Sequence, residues 1–536
     1  MSMNTSQNAA SPSNSPRIPS ETAPPAHSVD AESLRRELAS RIEGEVRFDD
    51  LSRALYATDA SVYQIIPAGV VIPKSREDVI RTVQLCSRHG CSITARGGGT
   101  SQAGQAVGPG IQLDFSKYVN RLLVLNPGEQ WVRVEPGIVL DELNAQLKPY
   151  GLHLPLDIST SDRATIGGMI ANNSSGTRSV VYGKTLDYVM ELTAVLSNGS
   201  VVEFRPLSDS ELESKCTRPD LEGDCYRVVR RLAAEHATEI ERRFPKILRR
   251  VGGYNLDEFM EDGKRKAEGG RPEGEIHSPF PSSAFRLPPS AFNLSRLIVG
   301  SEGTLALALE AKLRLVPLPP TRTVAVVHFH SLLDSLAATP VTLEHQPSAV
   351  ELIDRFILDS TRGKTVYEPL RGFIVGDPAA VLIVELSEQS PGDLSERLDR
   401  LEADLRTRGI GYHFHRAVAL PEQANIWKLR RAALGLSMSE RGDAKAISFV
   451  EDTAVEPARL RDYIERFQQI LAADNTHAGF YAHASVGLLH VRPVVNLKTV
   501  DGVDKFQRIA DEIANLVLEF GGALSGEHGD GLVRSS

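Results

Sequence analysis

The sequence predicts an α+β protein built from two unlike folded parts, and three observations predict it. The chain of 536 residues is too long for a single hydrophobic core. Up to about residue 205, short apolar strands alternate with amphipathic helices. Leu318-Pro319-Pro320 then breaks helix and sheet alike, and a second alternation of strands and helices follows it. The boundaries read from this are a disordered tail over 1–29, a first domain over 30–317 with a helical insertion at 206–290, and a second domain over 321–536.

Residues 31–42 read as a short helix, with Leu34, Leu38 and Ile42 on one face. Val70 to Pro73 reads as a strand. Ser75 follows as an N-cap, and Glu77 and Asp78 suit the positive end of a helix dipole. That helix runs through Val79, Val83 and Leu85 until Gly90 stops it. Ser92 to Thr94 is the next strand. Leu122–Leu125 and Trp131–Glu135 alternate as strands, and Leu140, Leu143 and Leu147 mark a helix ending before Gly151. Val189–Leu196 and Val201–Phe204 flank Asn198-Gly199, a strong hairpin dipeptide. The pattern is helical from Glu211 to Met260, loop-like from Glu261 to Pro289 and strand-rich from Leu297 to Val316. In the second domain, Val324–Phe329 and Val381–Leu386 are strands and Gly392–Arg408 is a helix.

A net charge of -9 argues against a nucleic-acid partner, which needs a clustered positive field, but not against a small anion held by local arginines. The four cysteines, Cys86, Cys91, Cys216 and Cys225, show no Cys-x-x-Cys spacing, so buried or incidental thiols in a reducing compartment are expected and an iron–sulfur cluster is not. The Ser-, Pro- and Ala-rich start lacks the apolar core of a secretory signal, and no apolar run approaches the roughly 20 residues that span a bilayer. The expectation is a cytoplasmic protein, with contact at the periphery of the inner membrane left open.

Three glycine-rich stretches carry the first chemical signal. Arg96-Gly97-Gly98-Gly99-Thr100-Ser101-Gln102-Ala103-Gly104 follows a strand and lets backbone N–H groups approach phosphate oxygens. It is not a dinucleotide fingerprint, because Gln102 stands where that pattern needs glycine and no helix follows. The second runs from Pro155 through Asp157 and Ser159, then Thr165, Gly167 and Gly168, to Asn172, Asn173, Ser175 and Gly176. Its small and amide residues suit a flat, rigid ligand. The third is Gly300-Ser301-Glu302-Gly303-Thr304. Each alone also fits an ordinary turn.

In this order and spacing the three stretches resemble the FAD-binding (PCMH-type) domain of the vanillyl-alcohol-oxidase-type flavoproteins, which include D-lactate dehydrogenases and glycolate oxidase subunits. The resemblance spans about residues 45–536. It implies a two-part FAD-binding domain followed by an α+β substrate, or cap, domain. The first loop (Arg96, Gly97, Gly98, Gly99, Thr100, Ser101, Gly104) and the second stretch would wrap the pyrophosphate and isoalloxazine. Gly300, Glu302 and Gly303 would sit near the adenine side. Some relatives attach FAD through a histidine in the first loop; Thr100 and Ser101 stand there, which implies non-covalent FAD.

The C-terminal third carries His483 and His490, seven residues apart. On a straight helix they would be ~10 Å apart along the axis, and on a straight strand they would face opposite sides. They converge only if the chain turns between them, and Gly487 is where it could. Near the end come Glu527 and His528, set among Gly526, Gly529 and Gly531. Two histidines and a carboxylate suit a divalent metal with an open position. These motifs resemble the metal-binding elements of D-2-hydroxyglutarate and D-lactate dehydrogenases. That resemblance implies His483, His490 and Glu527 as ligands of Zn or Mn and His528 as the base for the substrate hydroxyl. It also implies Arg430, in Ile426-Trp427-Lys428-Leu429-Arg430, as a carboxylate contact; Arg492, which stands where simpler relatives carry an asparagine, is the candidate for a second one. The wording around His490 and around Glu451-Asp452-Thr453-Ala454-Val455 is nearest to large bacterial D-2-hydroxyglutarate dehydrogenase-like flavoproteins that also carry iron–sulfur motifs. Those continue well past this region, so a truncated form is expected.

The expected activity is FAD-dependent dehydrogenation of a D-2-hydroxy acid, D-2-hydroxyglutarate first, by hydride transfer to flavin. The alternatives are a D-lactate or glycolate dehydrogenase and a non-catalytic flavin-binding remnant. Expected partners are the small 2-hydroxy acid and an electron acceptor such as a quinone or an electron-transfer protein. The sequence is compatible with a homodimer and does not specify one.

Overall fold

The structure is a computed structural model that describes residues 30–260, 292–318, 321–388, 390–438 and 442–534. The tail over 1–29, the loop at Glu261–Pro289 and Pro319-Pro320 lie outside the described residues.

Among the described residues the N-terminal part contains two larger sheets and a two-stranded ribbon that pairs 152–153 with 316–317. In the first, strand Gly69–Ile72, helix Arg76–Arg88 and strand Ile93–Arg96 form the βαβ-like unit, and strand Ile111–Asp114 inserts between the two strands, parallel to both. Ser75 caps the helix, its side chain accepting the N–H of Asp78, and Gly90 takes a positive φ just past the end. The second sheet is antiparallel, in the order 122–126, 131–134, 307–314, 189–195, 201–204. Its last two strands are the hairpin expected at Asn198-Gly199, with Gly199 at φ 83. Helices Asp209–Cys216, Leu221–Glu235 and Ala237–Arg243 follow. The helical expectation for Glu211–Met260 holds only to Arg243: Phe244-Pro245 ends the last helix, and the chain continues without regular helix until a single 3₁₀ turn at Leu256–Phe259. Within the stretch expected to be strand-rich, Ser295–Ile298 is a helical turn and the strand begins at Leu307.

The C-terminal part is one antiparallel sheet in the order 413–417, 321–329, 380–388, 349–354, 478–483, 488–495, 445–446, with 453–454 also pairing 488–495. Alternation divides its residues cleanly. Val327, Leu352, Leu382, Val384, Ala482 and Val491 face helices 332–344, 391–407, 460–473 and 500–519, packing on Leu398, Phe467 and Ile513. Val324, Val326, Ile353, Ile383 and Tyr481 face the other way, against helices 355–361 and 420–431. That second face carries the site.

Candidate functional site

Strand Ala478–His483 ends in a tight turn at Ala484–Val486 and returns as Leu488–Val495. Gly487 makes the reversal at φ 70, and a Cβ there would lie 1.7 Å from the carbonyl oxygen of Val455. The register pairs Tyr481 with His490 and His483 with Leu488, so both histidines lie on one face, their ring centroids 5.3 Å apart. The convergence that the sequence made conditional on a turn at Gly487 is present.

The loop 525–531 completes the cluster. Asp452, buried and at φ 75, accepts the N–H of Glu527 at 3.1 Å, the N–H of His528 at 2.8 Å and the hydroxyl of Ser525 at 2.6 Å. The loop wraps this carboxylate and presents Glu527 to three imidazoles. Its Oε1 lies 3.5 Å from His483 Nε2, 3.1 Å from His490 Nε2 and 3.5 Å from His528 Nε2. Every one of the three rings has its far nitrogen on a carboxylate. His483 Nδ1 is 2.8 Å from Glu351, His490 Nδ1 is 3.3 Å from Glu451, and His528 Nδ1 is 2.7 Å from Glu451. Such partners fix the tautomer and aim Nε2 at a common point, as they do around bound metals. Asp452, His490, Glu527 and His528 also form a metal-compatible group. The Asp452 oxygens are committed to the loop, which leaves His490, Glu527 and His528 of that group, with His483 as near to Glu527 as His528 is.

The electrostatics favour positive charge at that point. Burial pushes the His528 ring down, but Glu451 and Asp452 outweigh it and raise it to about 9. Burial likewise opposes charge on His483, and Glu351 and Glu527 raise it on balance. Burial pushes Glu527 up, yet His483 and Arg249 hold it well below the usual carboxylate range. Arg249 is fully buried and 3.0 Å from the other oxygen of Glu527. The sequence reading missed Arg249, Glu351, Glu451 and Asp452 as site residues. Signals existed for the acids: Glu351 interrupts the apolar run Ala349–Ile353, and Glu451-Asp452 follows Phe449-Val450. Nothing in the sequence marked Arg249.

A cavity of about 1070 Å³ joins this cluster to the glycine-rich stretches. Arg96, Gly97, Gly98, Gly99, Thr100, Ser101, Pro155, Asp157, Ser159, Thr165, Gly167, Gly168, Asn172, Ser175, Gly176, Glu302 and Gly303 line it, as do Arg430, His483, His490, Glu527 and His528. The N–H groups of Gly98, Gly99 and Thr100 meet no acceptor among the described residues, which suits a phosphate-bearing ligand. Gly98 must lack a side chain, since a Cβ would lie 2.4 Å from the carbonyl oxygen of Arg163. Arg96 spends its guanidinium on the carbonyls of Ala106 and Thr58.

Four expected contacts lie elsewhere. Gly104 sits against Tyr63 and Leu532. Asn173, at φ 55, uses its side chain to accept the N–H of Leu186, and Gly300 packs beside it. Arg492 is 1% exposed and lies behind the cavity wall, donating to Tyr481 Oη, Ser448 and Gln102 and facing Glu451 at 3.6 Å. The hairpin places it on the site face, but these partners occupy it. Glu302 has a role that the sequence did not suggest: it accepts the N–H of Asp530 at 2.6 Å and of Gly531 at 2.9 Å. Together with Gln105, which donates to the His528 carbonyl, and Asn172, which donates to the Glu527 carbonyl, it fastens loop 525–531 to the N-terminal part.

The chain is similar to known proteins over most of its length. Residues 67–205 match an FAD binding domain, and residues 318–536 match the C-terminal domain of FAD linked oxidases. The chain is 35% identical to a D-2-hydroxyglutarate dehydrogenase of Pantoea ananatis and 34% identical to one of Escherichia coli. The alignments cover 92% and 91% of the chain and 47% of each relative, so the chain spans about half the length of these relatives. It is 26% identical to glycolate oxidase subunit GlcD of Bacillus subtilis, over 93% of the chain and 89% of that relative. Among solved structures, 4-ethylphenol oxidase from Gulosibacter chungangensis superposes with a TM-score of 0.59 at 15% identity, over 95% of this chain and 91% of that one. An alkyldihydroxyacetonephosphate synthase gives 0.60 at 16%, over 92% and 80%.

Proposed function

We propose that the chain, whose two parts match an FAD binding domain and the C-terminal domain of FAD linked oxidases, oxidises a D-2-hydroxy acid, D-2-hydroxyglutarate first, to the 2-oxo acid. The observation that carries the reading is the continuity of one cavity from the glycine-rich stretches to the imidazole–carboxylate cluster. A flavin and a small acid would meet there.

The residues present fit both groups. When bound, non-covalent FAD supplies the hydride acceptor, and a divalent metal (Zn or Mn) on His483, His490 and Glu527 supplies charge that acidifies the substrate hydroxyl. Arg430 receives the substrate carboxylate. It lies over the Tyr481 ring, 4.9 Å from its centroid, and 2.6 Å from Glu351, while its buried Nε meets no hydrogen-bond partner among the described residues. A guanidinium on the cavity wall beside the histidine cluster is placed to hold a carboxylate. Raised to about 9 in the metal-free chain, His528 would be neutral only once a divalent cation replaces the proton charge at the cluster; it would then take the hydroxyl proton at Nε2, with Glu451 holding its Nδ1 and stabilising the imidazolium that results. Arg178, tied to Asp157 and Glu385, and Trp427 above it close the wall between the two parts.

Electrons leave to a quinone or an electron-transfer protein. The working compartment is the cytoplasm, and no helix among the described residues is long and apolar enough to cross a membrane. The test is turnover of the full chain supplied with FAD and Mn, with dye reduction and 2-oxoglutarate formation followed for the D and L forms of 2-hydroxyglutarate. Stereospecific product formation supports the reading, and equal rates from both forms would remove it.

A further inference from the structure

Arg322 lines the same cavity as Arg430, and its guanidinium has no hydrogen-bond or ion-pair partner among the described residues. The other cavity arginines differ. Arg96 is held by two carbonyls, Arg178 by Glu385 and Asp157, Arg430 by Glu351, and Arg163 by Asp162. Arg431 is exposed, whereas Arg322 is partly buried. Burial and the neighbouring Arg178 disfavour charge on Arg322 and outweigh Glu385, Tyr182 and Asp157, so an anion in the cavity would stabilise it.

Its place relative to the reacting end follows from the sheet. Val324 pairs with Glu385, which pairs with Ala349, and two residues further on Glu351 pairs with His483. Arg322, Glu385, Glu351 and His483 therefore share one face. Helix Leu420–Arg431 lies across this face: Gln423 donates to the carbonyl of Arg322, Trp427 covers Arg178, and Arg430 reaches Glu351. Seven residues of helix from Gln423 to Arg430 rise roughly 10 Å. Arg322 and Arg430 thus bound one stretch of cavity wall, with Trp427 and Arg178 between them.

We propose that Arg322 receives the second carboxylate of a dicarboxylic 2-hydroxy acid whose first carboxylate is held at Arg430. This rests on the reading above and deepens it. It assigns to Arg322 the discrimination of dicarboxylates from D-lactate, in place of Arg492, which protein partners already occupy.

The test compares the FAD-loaded full chain with Arg322→Gln and Arg322→Lys. Glutarate, a dicarboxylate without the reacting hydroxyl, is titrated against the flavin spectrum, and KM is measured for D-2-hydroxyglutarate and D-lactate. A charge-assisted carboxylate contact predicts a roughly 10- to 100-fold weaker glutarate response and a KM for D-2-hydroxyglutarate raised by the same order in Arg322→Gln. D-lactate turnover stays unchanged, and Arg322→Lys recovers part of the loss. Equal losses on both acids, unchanged kinetics, loss of flavin from either variant, or a wild type that ignores glutarate would each overturn the assignment. If no 2-hydroxy acid is oxidised while glutarate binding still depends on Arg322, the reaction reading fails and the anion site stands.

Discussion

Arg249 and Glu527 are 278 residues apart in the chain and meet at 3.0 Å, with the guanidinium wholly buried. The same guanidinium donates to Ser175 and to the Gly176 carbonyl, in the second glycine-rich stretch. One side chain thus fastens a candidate metal ligand to a candidate flavin cradle. Arg249→Met leaves Glu527 without this buried partner, an effect worth about 3–5 kcal/mol when such pairs are broken. A lowered thermal midpoint and reduced FAD content per chain are expected. Unchanged values in both would contradict the coupling.

His528→Ala removes the proposed base while leaving His483, His490 and Glu527. Flavin reduction by the D acid should slow by a factor on the order of a hundred or more, with FAD still bound. Rapid-mixing absorbance measures it, and a wild-type rate would take His528 out of the mechanism.

Chelation separates metal from flavin. The proposed donors His483, His490 and Glu527 line the same cavity as the glycine-rich stretches but belong to none of them. Dialysis against a chelator should abolish turnover, leave the yellow colour, and be reversed by Zn or Mn. Full activity in metal-free protein would sink the metal assignment.

Gly487→Ala tests the hairpin. At φ 70, with Val455 O in the way, the substitution costs about 1–3 kcal/mol from backbone strain alone. The thermal midpoint should fall, and metal affinity with it, because His483 and His490 depend on this turn. A variant as stable as wild type would show that the reversal does not need glycine.

His153 gives a pH signature. Burial, with Arg322 and Arg178 nearby, lowers its ring from 6.5 to about 4. The unfolded chain takes up a proton near 6.5 that the folded chain refuses until about 4, so this group's contribution is full above 6.5 and is lost as pH falls towards 4. Denaturant unfolding of His153→Phe across that window should show a shallower decline than wild type; identical slopes would remove His153 as the cause.

Much of this was legible in the sequence wherever a local rule decided the matter. Ser75 caps a helix because a short hydroxyl reaches the N–H of Asp78, and Asn198-Gly199 reverses a strand because its backbone twist fits a hairpin. The seven-residue spacing of His483 and His490 stated its own condition, and Gly487 meets it. What stayed hidden depends on distant chain segments. Arg492 shares a face with His490, as strand parity requires, yet parity could not show that Gln102, Ser448 and Tyr481 would occupy it. Glu302 read as part of a glycine turn, and only the folded chain brings Asp530 and Gly531 to it. Arg249 follows the break at Phe244-Pro245, where a charged apolar mixture still looked helical.

The central claim is that one cavity brings flavin and a D-2-hydroxy acid together. Its most direct test is an anaerobic spectral titration of the FAD-bound protein with D-2-hydroxyglutarate, D-lactate and their L forms. The account predicts bleaching of the yellow flavin by D-2-hydroxyglutarate, weaker bleaching by D-lactate and none by the L acids. A yellow protein that no D-2-hydroxy acid bleaches would contradict it.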